Sequence, residues 1–138
     1  MKVRYLETSA LLCWLFDEPN SRTLIKSIND ADLICTSELT RIETLRAIGR
    51  AYREKLMSSE QRKALTLLFD EKLRGWFRMS IDESVVSGAS VDFPIEPVRS
   101  LDAIHLATAL EYKKLYPDIK MITLDERIRR NGKDLMLY

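Results

Sequence analysis

The sequence predicts an α/β protein in which a mostly parallel sheet is covered by helices on both faces. Short apolar or β-branched runs alternate with longer stretches of helical period along the chain. Two of these runs end in an acidic residue, Glu7 and Asp125. Strands that alternate with helices form right-handed βαβ units, and sites in such folds lie beyond the carboxyl ends of the strands. The two acids are therefore expected at one edge of the sheet.

Strands are predicted where a few apolar or β-branched residues are bounded by polar or turn-forming residues. Four runs have this pattern: Val3 to Leu6, Leu33 to Thr36, Trp76 to Ile81, and Met121 to Leu124. Leu135 to Tyr138 is a candidate fifth strand. The predicted sheet therefore contains four to five strands.

The helices of the first half are predicted from apolar periodicity and from capping residues. Thr8 and Ser9 are candidates to cap the apolar segment after the first strand, and Asp17 to Asn20 breaks it. Ser37 is a candidate N-cap, and Ser58 with Gln61 has the spacing of a capping box. The further helices are predicted over Ser21 to Asn29, Glu38 to about Lys55, and Ser58 to about Leu73.

Two more helices are predicted in the second half, over Glu83 to Val91 and Leu101 to about Tyr116. Between them, two prolines exclude regular helix over Asp92 to Pro97, which is predicted to be an ordered loop. Ser100 is the candidate N-cap of the second helix, and Pro117 ends it.

Composition favours a single globular domain over residues 1–138, with 46% hydrophobic residues. The net charge is +1, so any surface for nucleic acid must be local. Glu7 interrupts the N-terminal apolar run, which argues against a secretory signal, and Thr8 to Phe16 is too short to span a bilayer. Cys13 and Cys35 are isolated and are predicted to be buried thiols. We expect a cytoplasmic protein without a membrane segment.

Four acidic residues occupy positions where this architecture places chemistry. They are Glu7 after the first strand, Glu43 inside the third helix, Asp102 in the first turn of a helix, and Asp125 after a late strand. Each also has a structural explanation, such as helix capping or a solvated helix face. Glu43 is the most informative, because Leu39, Thr40 and Ala47 give its side of the helix a small or apolar character.

A cluster of these carboxylates favours a divalent metal ion. Two carboxylates about 5 Å apart repel by roughly 3 kcal/mol at an effective dielectric of about 20, so several do not stay ionised unaided. Hard cations with oxygen ligands remove this repulsion, which favours Mg²⁺ or Mn²⁺. His105 is the only histidine, which argues against zinc, and its apolar neighbours predict a partly buried, satisfied imidazole.

Four blocks of sequence follow one another in a recognisable order. They are YLETSALL at 5–12, SELTRIE at 37–43, RSLDAIHLATA at 99–109, and TLD at 123–125. These blocks resemble the four motifs of PIN domains, and the third resembles VapC toxins in particular. The resemblance implies an α/β/α sandwich and an endoribonuclease that depends on Mg²⁺ or Mn²⁺. It also implies a toxin–antitoxin pair with a VapB-like antitoxin, and a homodimer that forms a heterotetramer or larger assembly with it.

Carried over by motif, the catalytic and metal-site residues are Glu7, Glu43, Asp102 and Asp125. The hydroxyls of Thr8, Ser9 and Thr123 adjoin these acids and are candidates to orient the carboxylates or a metal-bound water, although capping and turn roles are as plausible.

The surfaces for the two implied partners are predicted separately. The apolar helix with Leu12, Trp14 and Phe16 is expected to receive an amphipathic antitoxin segment. Arginines near the acids, Arg99 among them, are candidates to bind RNA phosphates.

The sequence departs from the family pattern at Glu7, where family members usually have Asp. An alternative interpretation is therefore a PIN-fold protein that binds RNA or an antitoxin, with weak or lost catalysis. A phosphoacceptor receiver domain is a poorer alternative. Lys113, Lys114 and Lys120 do not follow a strand as the phosphate-sensing lysine of such a domain requires.

Overall fold

The computed structural model describes residues 1–19 and 21–138 and confirms the predicted α/β fold. The strands are β1 (Val3–Leu6), β2 (Leu33–Ser37), β3 (Phe77–Met79) and β4 (Lys120–Ile122). All pair in parallel, in one sheet of order β3-β2-β1-β4. Strand β1 therefore lies inside the sheet, with β2 on one side and β4 on the other.

The predicted fifth strand is absent from the C-terminal residues. A single backbone bond links Leu137 to the sheet, from the Met121 amide to the Leu137 carbonyl at 2.8 Å. Leu135 and Met136 form a turn instead, with a positive φ of 58° at Met136. Lys113 donates to both carbonyls of this turn at 2.9 and 2.8 Å, which holds the segment away from an extended conformation.

Helices connect the strands and cover both faces of the sheet. The described part of the chain contains α1 (Thr8–Leu15), α2 (Arg22–Asn29), α3 (Glu38–Arg53), α4 (Ser59–Arg74), α5 (Glu83–Ala89), α6 (Ser100–Leu115) and α7 (Glu126–Asp134). Asp17 follows the first helix with a positive φ of 51°, in agreement with the predicted break, while Asn20 lies outside the described residues. None of these helices is long and apolar enough to cross a membrane.

Two of the predicted helix caps are confirmed. The Ser37 hydroxyl accepts a hydrogen bond from the Leu39 amide at 3.0 Å and so caps α3. Ser58 and Gln61 form the predicted reciprocal capping box at the start of α4.

Two other cap predictions are wrong. The N-cap of α1 is Glu7, whose carboxylate accepts from the Ser9 amide, while Thr8 and Ser9 are the first helical residues. The N-cap of α6 is Arg99, and Ser100 is already helical. The Glu7 backbone is extended and Thr8 already begins the helix, so the Glu7 carboxylate, and not a serine or threonine hydroxyl, is in the N-cap position.

The core consists of two clusters, one on each face of the sheet, because successive side chains of a strand point to opposite faces. Tyr5 and Cys35 belong to the cluster that α6 covers, with Leu106 and Tyr112. Their neighbours Leu6 and Ile34 belong to the cluster of α1, α3 and α4, with Leu11, Ile48 and Phe69 at its centre. Cys13 and Cys35 are buried free thiols, as predicted. The three-layer α/β/α arrangement is thereby confirmed.

The buried face of α3 combines apolar residues with small polar ones. Two of its large apolar or aromatic side chains, Ile42 and Tyr52, lie outside the buried face and are 52% and 39% exposed. The buried stripe instead includes Thr40, Thr44 and Ile48, spaced four residues apart. Leu39 and Thr40, which were expected on the small or apolar side of this helix, are also buried. Because the stripe includes small polar residues, apolar periodicity alone does not outline it fully.

Candidate active site

The carboxyl ends of β1 and β4 lie side by side at one edge of the sheet. Leu6 pairs with Ile122, and the Glu7 amide donates to the Ile122 carbonyl at 3.0 Å. The first residues beyond the two strands, Glu7 and Thr123, are thereby brought together. This juxtaposition agrees with the edge predicted from the sequence.

Glu7 is buried, with only 5% of its surface exposed. One carboxylate oxygen, Oε2, accepts hydrogen bonds from the Ser9 amide at 2.8 Å, the Ser9 hydroxyl, and the Thr123 hydroxyl at 2.9 Å. Ser9 and Thr123 are two of the three hydroxyl residues expected to orient the acids. The structure places both hydroxyls on Glu7.

Glu43 projects from α3 toward the residue that follows Glu7. Its Oε1 accepts from the Thr8 hydroxyl at 2.7 Å and lies 2.7 Å from Nε2 of His105. Thr8 is the third of the expected hydroxyl residues, and it contacts Glu43 rather than Glu7. The two acids are therefore held by adjacent residues, Thr8 and Ser9.

His105 is more involved in the site than the sequence indicated. It is 1% exposed rather than partly buried, and its Nδ1 lies 2.9 Å from the Tyr5 hydroxyl. Tyr5 and His105 thus form a buried chain of hydrogen bonds that ends on Glu43. No pattern of spacing pointed to Tyr5, because it is separated from His105 by 100 residues in the sequence.

Asp102 lies in the first turn of α6, one helical turn before His105. It is buried at its base, and its Oδ2 accepts from Nε of Arg99 at 3.3 Å. Asp125 has another role in this structure: its Oδ1 caps α7 by accepting from the amides of Arg127 and Ile128 at 2.9 and 3.2 Å. The structural explanation considered for Asp125 from the sequence is therefore observed.

Oxygen ligands for a cation are present, but they do not form a ready-made cage. Across residues 1–19 and 21–138, no three acidic, histidine or cysteine side chains are arranged to hold a metal ion. Glu7, Glu43 and Asp102 each have one oxygen in the hydrogen bonds described above, and within these residues the other oxygen has no such bond and is not sealed from solvent. The donor chemistry fits Mg²⁺ or Mn²⁺, and the second oxygen of Asp125 takes part in neither hydrogen bond of its cap.

The pKa values of buried Glu7 and half-buried Glu43 are shifted in opposite directions. Burial raises the pKa of Glu7, and the hydrogen bonds from Ser9 and Thr123 offset this only in part. Burial would also raise the pKa of Glu43, but the hydrogen bonds from His105 and Thr8 outweigh it, so the pKa of Glu43 is lowered. The fold thus stabilises the ionised form of Glu43 and destabilises the ionised form of Glu7.

Comparison with known proteins gives concordant results. The family model of the PIN domain matches residues 4–134. The chain is 33% identical over 135 residues to Ribonuclease VapC35 of Mycobacterium tuberculosis, covering 96% of this chain and 92% of that protein. It is 33% identical over 139 residues to Ribonuclease VapC46 of the same organism, covering 98% of this chain and 94% of that protein.

The opposite pKa shifts predict opposite effects of neutralising the two glutamates on stability. A raised folded-state pKa means that ionised Glu7 destabilises the fold, so Glu7→Gln is expected to raise the melting temperature at pH 7. This gain should shrink as the pH falls through the pKa of Glu7, where the wild-type side chain becomes neutral. Glu43→Gln is expected to lower the melting temperature at pH 7, with the loss shrinking as the pH falls through the range of an unfolded glutamate.

Thermal unfolding in EDTA between pH 3.5 and 7.5 measures both effects. The two variants are each other's control, because both replace a site glutamate with its neutral isostere. A lower melting temperature for both variants at pH 7 would contradict the conclusion that the fold destabilises ionised Glu7.

Proposed function

The chain belongs to the PIN domain family, and from this premise we propose that it is a metal-dependent endoribonuclease, the toxin of a VapBC-type toxin–antitoxin pair. The relatives named above are VapC ribonucleases that match nearly the whole chain. The proposal includes a homodimer in the cytoplasm, and a heterotetramer or larger assembly with the antitoxin.

The observation that carries the proposal is the placement of buried Glu7 and half-buried Glu43 at the end of β1, where the adjacent residues Ser9 and Thr8 donate to them. A buried carboxylate lowers stability unless donors or a cation compensate its charge. Groups with shifted pKa values cluster at functional sites, and Glu7, whose pKa is raised by burial, is one of them.

The residues proposed to hold Mg²⁺ or Mn²⁺ are Glu7, Glu43, Asp102 and Asp125. When bound, the ion supplies a Lewis acid that stabilises negative charge developing on a phosphodiester. The chain's own side chains prepare this site. Ser9 and Thr123 hold one oxygen of Glu7, Thr8 and His105 hold one oxygen of Glu43, and the opposite oxygens stay free as ligands.

A basic cleft beside Asp102 supports RNA as the substrate. Arg99, Arg127 and Arg130 line a cleft of about 500 Å³. The acidic residue of its wall, Glu96, accepts hydrogen bonds from the backbone amides of Phe93 and Val98. Arg99 also contacts Asp102, so the cleft begins at the acidic site. Guanidinium groups bind phosphate oxygens well, and this arrangement would hold the backbone of a strand next to the carboxylates.

An apolar groove supports a VapB-like antitoxin as the partner. The groove has a volume of about 410 Å³ and lies between the end of α1 and α4, with Phe16, Leu56, Leu65 and Leu68 in its wall. Leu56 is 74% exposed and Leu68 is 38% exposed, as suits a surface for the apolar face of an amphipathic segment. Of the helix residues predicted for this role, Phe16 lines the groove, whereas Trp14 packs against Trp76 with ring centroids 6.4 Å apart.

A second candidate function is antitoxin or RNA binding with little catalysis. Glu7 favours it, since one of its oxygens is already engaged by three donors and also caps α1. A carboxylate with these structural roles is less free to adjust to Mg²⁺, which requires nearly ideal octahedral geometry.

Incubation with single-stranded RNA in Mg²⁺, Mn²⁺ or EDTA, followed by mapping of the ends, separates the two functions. We expect cleavage with metal and none in EDTA. Glu43→Gln, Asp102→Asn and Asp125→Asn should each lower the rate by about a hundredfold, the effect typical of losing one charge-stabilising group. Asparagine also caps helices well, so Asp125→Asn keeps the start of α7.

Glu126→Gln is the matched control, since Glu126 adjoins Asp125 and its side chain is 63% exposed. It should cleave RNA like the wild type. Circular dichroism establishes that each variant is folded. Full metal-dependent cleavage by all three site variants would exclude the proposed catalytic set.

The length of the first acid is tested by Glu7→Asp. The shorter side chain withdraws the carboxylate from Thr123 and relieves the geometric conflict with Mg²⁺. We expect tighter Mg²⁺ binding and faster cleavage, by about tenfold, which corresponds to about 1.4 kcal/mol. Wild-type Glu7 should work better with Mn²⁺ than with Mg²⁺. Calorimetric titration and cleavage rates measure both effects, and an unchanged or weaker Mg²⁺ affinity would mean that Glu7 already fits the ion.

The antitoxin groove is tested by Leu56→Asp, which places a charge on its exposed rim. We expect the dissociation constant for the antitoxin encoded beside this chain to rise by about tenfold or more, as for loss of an apolar anchor. RNA cleavage by the free variant should stay at the wild-type rate. Leu115→Asp is the control, because Leu115 is 68% exposed at the end of α6. Equal antitoxin affinity of both variants and the wild type would exclude the groove.

A further inference from the structure

We propose that Tyr5 and His105 form a positioning pair that holds the Glu43 carboxylate in one orientation, with its second oxygen presented to a cation. This inference rests on the proposed function, since it assigns a role to residues behind the proposed metal site. Neither residue belongs to the acidic set.

The pair is built from three separate elements of the fold. Tyr5 lies in β1, His105 in α6 and Glu43 in α3. The Tyr5 hydroxyl is 2.9 Å from Nδ1 of His105, and Nε2 of His105 is 2.7 Å from Oε1 of Glu43. Because Tyr5 and His105 are almost completely buried, water does not compete for these contacts.

The chemistry of the partners determines which atoms donate. A carboxylate oxygen only accepts, so Nε2 of His105 must carry the proton that is shared with Glu43. In the neutral imidazole the remaining nitrogen, Nδ1, is then the acceptor for the Tyr5 hydroxyl. A tyrosine hydroxyl has an ordinary pKa of about 10, so it is protonated at neutral pH and can donate. One tautomer and one ring orientation of His105 satisfy both contacts.

The two carboxylate oxygens of Glu43 therefore have different roles. Oε1 receives the His105 donor and the Thr8 hydroxyl, which come from different elements and restrict rotation of the carboxylate. Oε2 has no hydrogen bond among the described residues and remains available as a ligand. Residues that orient a ligand in this way typically affect metal affinity by about 10- to 100-fold.

The tautomer can be measured directly, because the chain contains a single histidine. A long-range ¹H–¹⁵N correlation spectrum of the metal-free, ¹⁵N-labelled protein therefore shows one imidazole. We expect Nε2 at a protonated shift and Nδ1 at the shift of a hydrogen-bonded acceptor. In Tyr5→Phe, Nδ1 should move toward the shift of a free acceptor. Protonation at Nδ1, or an Nδ1 shift insensitive to Tyr5→Phe, would overturn the pair.

Metal affinity tests whether the pair acts on Glu43. Titration with Mn²⁺ should show about a tenfold loss for His105→Met, which has no donor. His105→Gln places an amide donor near the position of Nε2 and should retain affinity within about threefold. Tyr5→Phe should weaken binding in the wild-type background and have no further effect in His105→Gln, where the imidazole is gone. Equal losses in the Met and Gln variants would overturn the proposal.

Tyr112→Phe is the matched control for Tyr5→Phe. Tyr112 lies in the same core cluster, and its buried hydroxyl donates to the carbonyls of Thr36 and Phe77 rather than to His105. It should change neither the Nδ1 shift nor the Mn²⁺ affinity. Tyr5→Phe removes one atom, so it tests the pair even if the His105 variants fail to fold. Absence of Mn²⁺ binding by the wild type would refute the metal site of the proposed function, while the tautomer would still decide whether Tyr5 and His105 hold Glu43.

Discussion

The constraint on which this site depends is that a carboxylate inside a protein needs donors. Glu7 accepts a hydrogen bond from Ser9, and Glu43 accepts one from the adjacent residue Thr8. The balance between donors and burial nevertheless differs between the two acids. The donors of Glu43 outweigh the effect of burial on its pKa, and those of Glu7 do not. The parallel pairing of β1 with β4 brings Thr123 to Glu7, and the packing of α3 against α6 brings His105 to Glu43. The sheet and its helices therefore set the electrostatics of the site.

Much of the fold could be predicted because its signals are local. Strand positions follow from short apolar runs, and the caps at Ser37 and Ser58 follow from spacings of two and three residues. The same locality explains the errors. Glu7, which caps α1 in place of Thr8 or Ser9, also accepts a hydrogen bond from Thr123, which is distant in the sequence. The fifth strand is replaced by a turn whose carbonyls accept hydrogen bonds from Lys113 of α6.

The candidate site could be predicted only in part. Family motifs and strand ends pointed to Glu7 and Glu43, and the structure gives each a hydrogen-bond donor from one of two adjacent residues, Ser9 and Thr8. The contact of His105 with Glu43 spans 62 residues, and that of Tyr5 with His105 spans 100. No periodicity encodes such separations, since they arise from the order of strands in the sheet. A histidine with apolar neighbours is equally compatible with a satisfied core residue, and only the fold reveals what satisfies it.

Helix α1 is eight residues long, and its two ends belong to different surfaces. Its first turn is capped by Glu7, and its last residue, Leu15, lines the apolar groove with Phe16. An eight-residue helix spans about 12 Å at 1.5 Å per residue, so α1 separates the acidic edge from the groove by about that distance. If occupancy of the groove alters the affinity of the acidic edge, thermodynamic reciprocity requires that occupancy of this edge alters the affinity of the groove by the same factor.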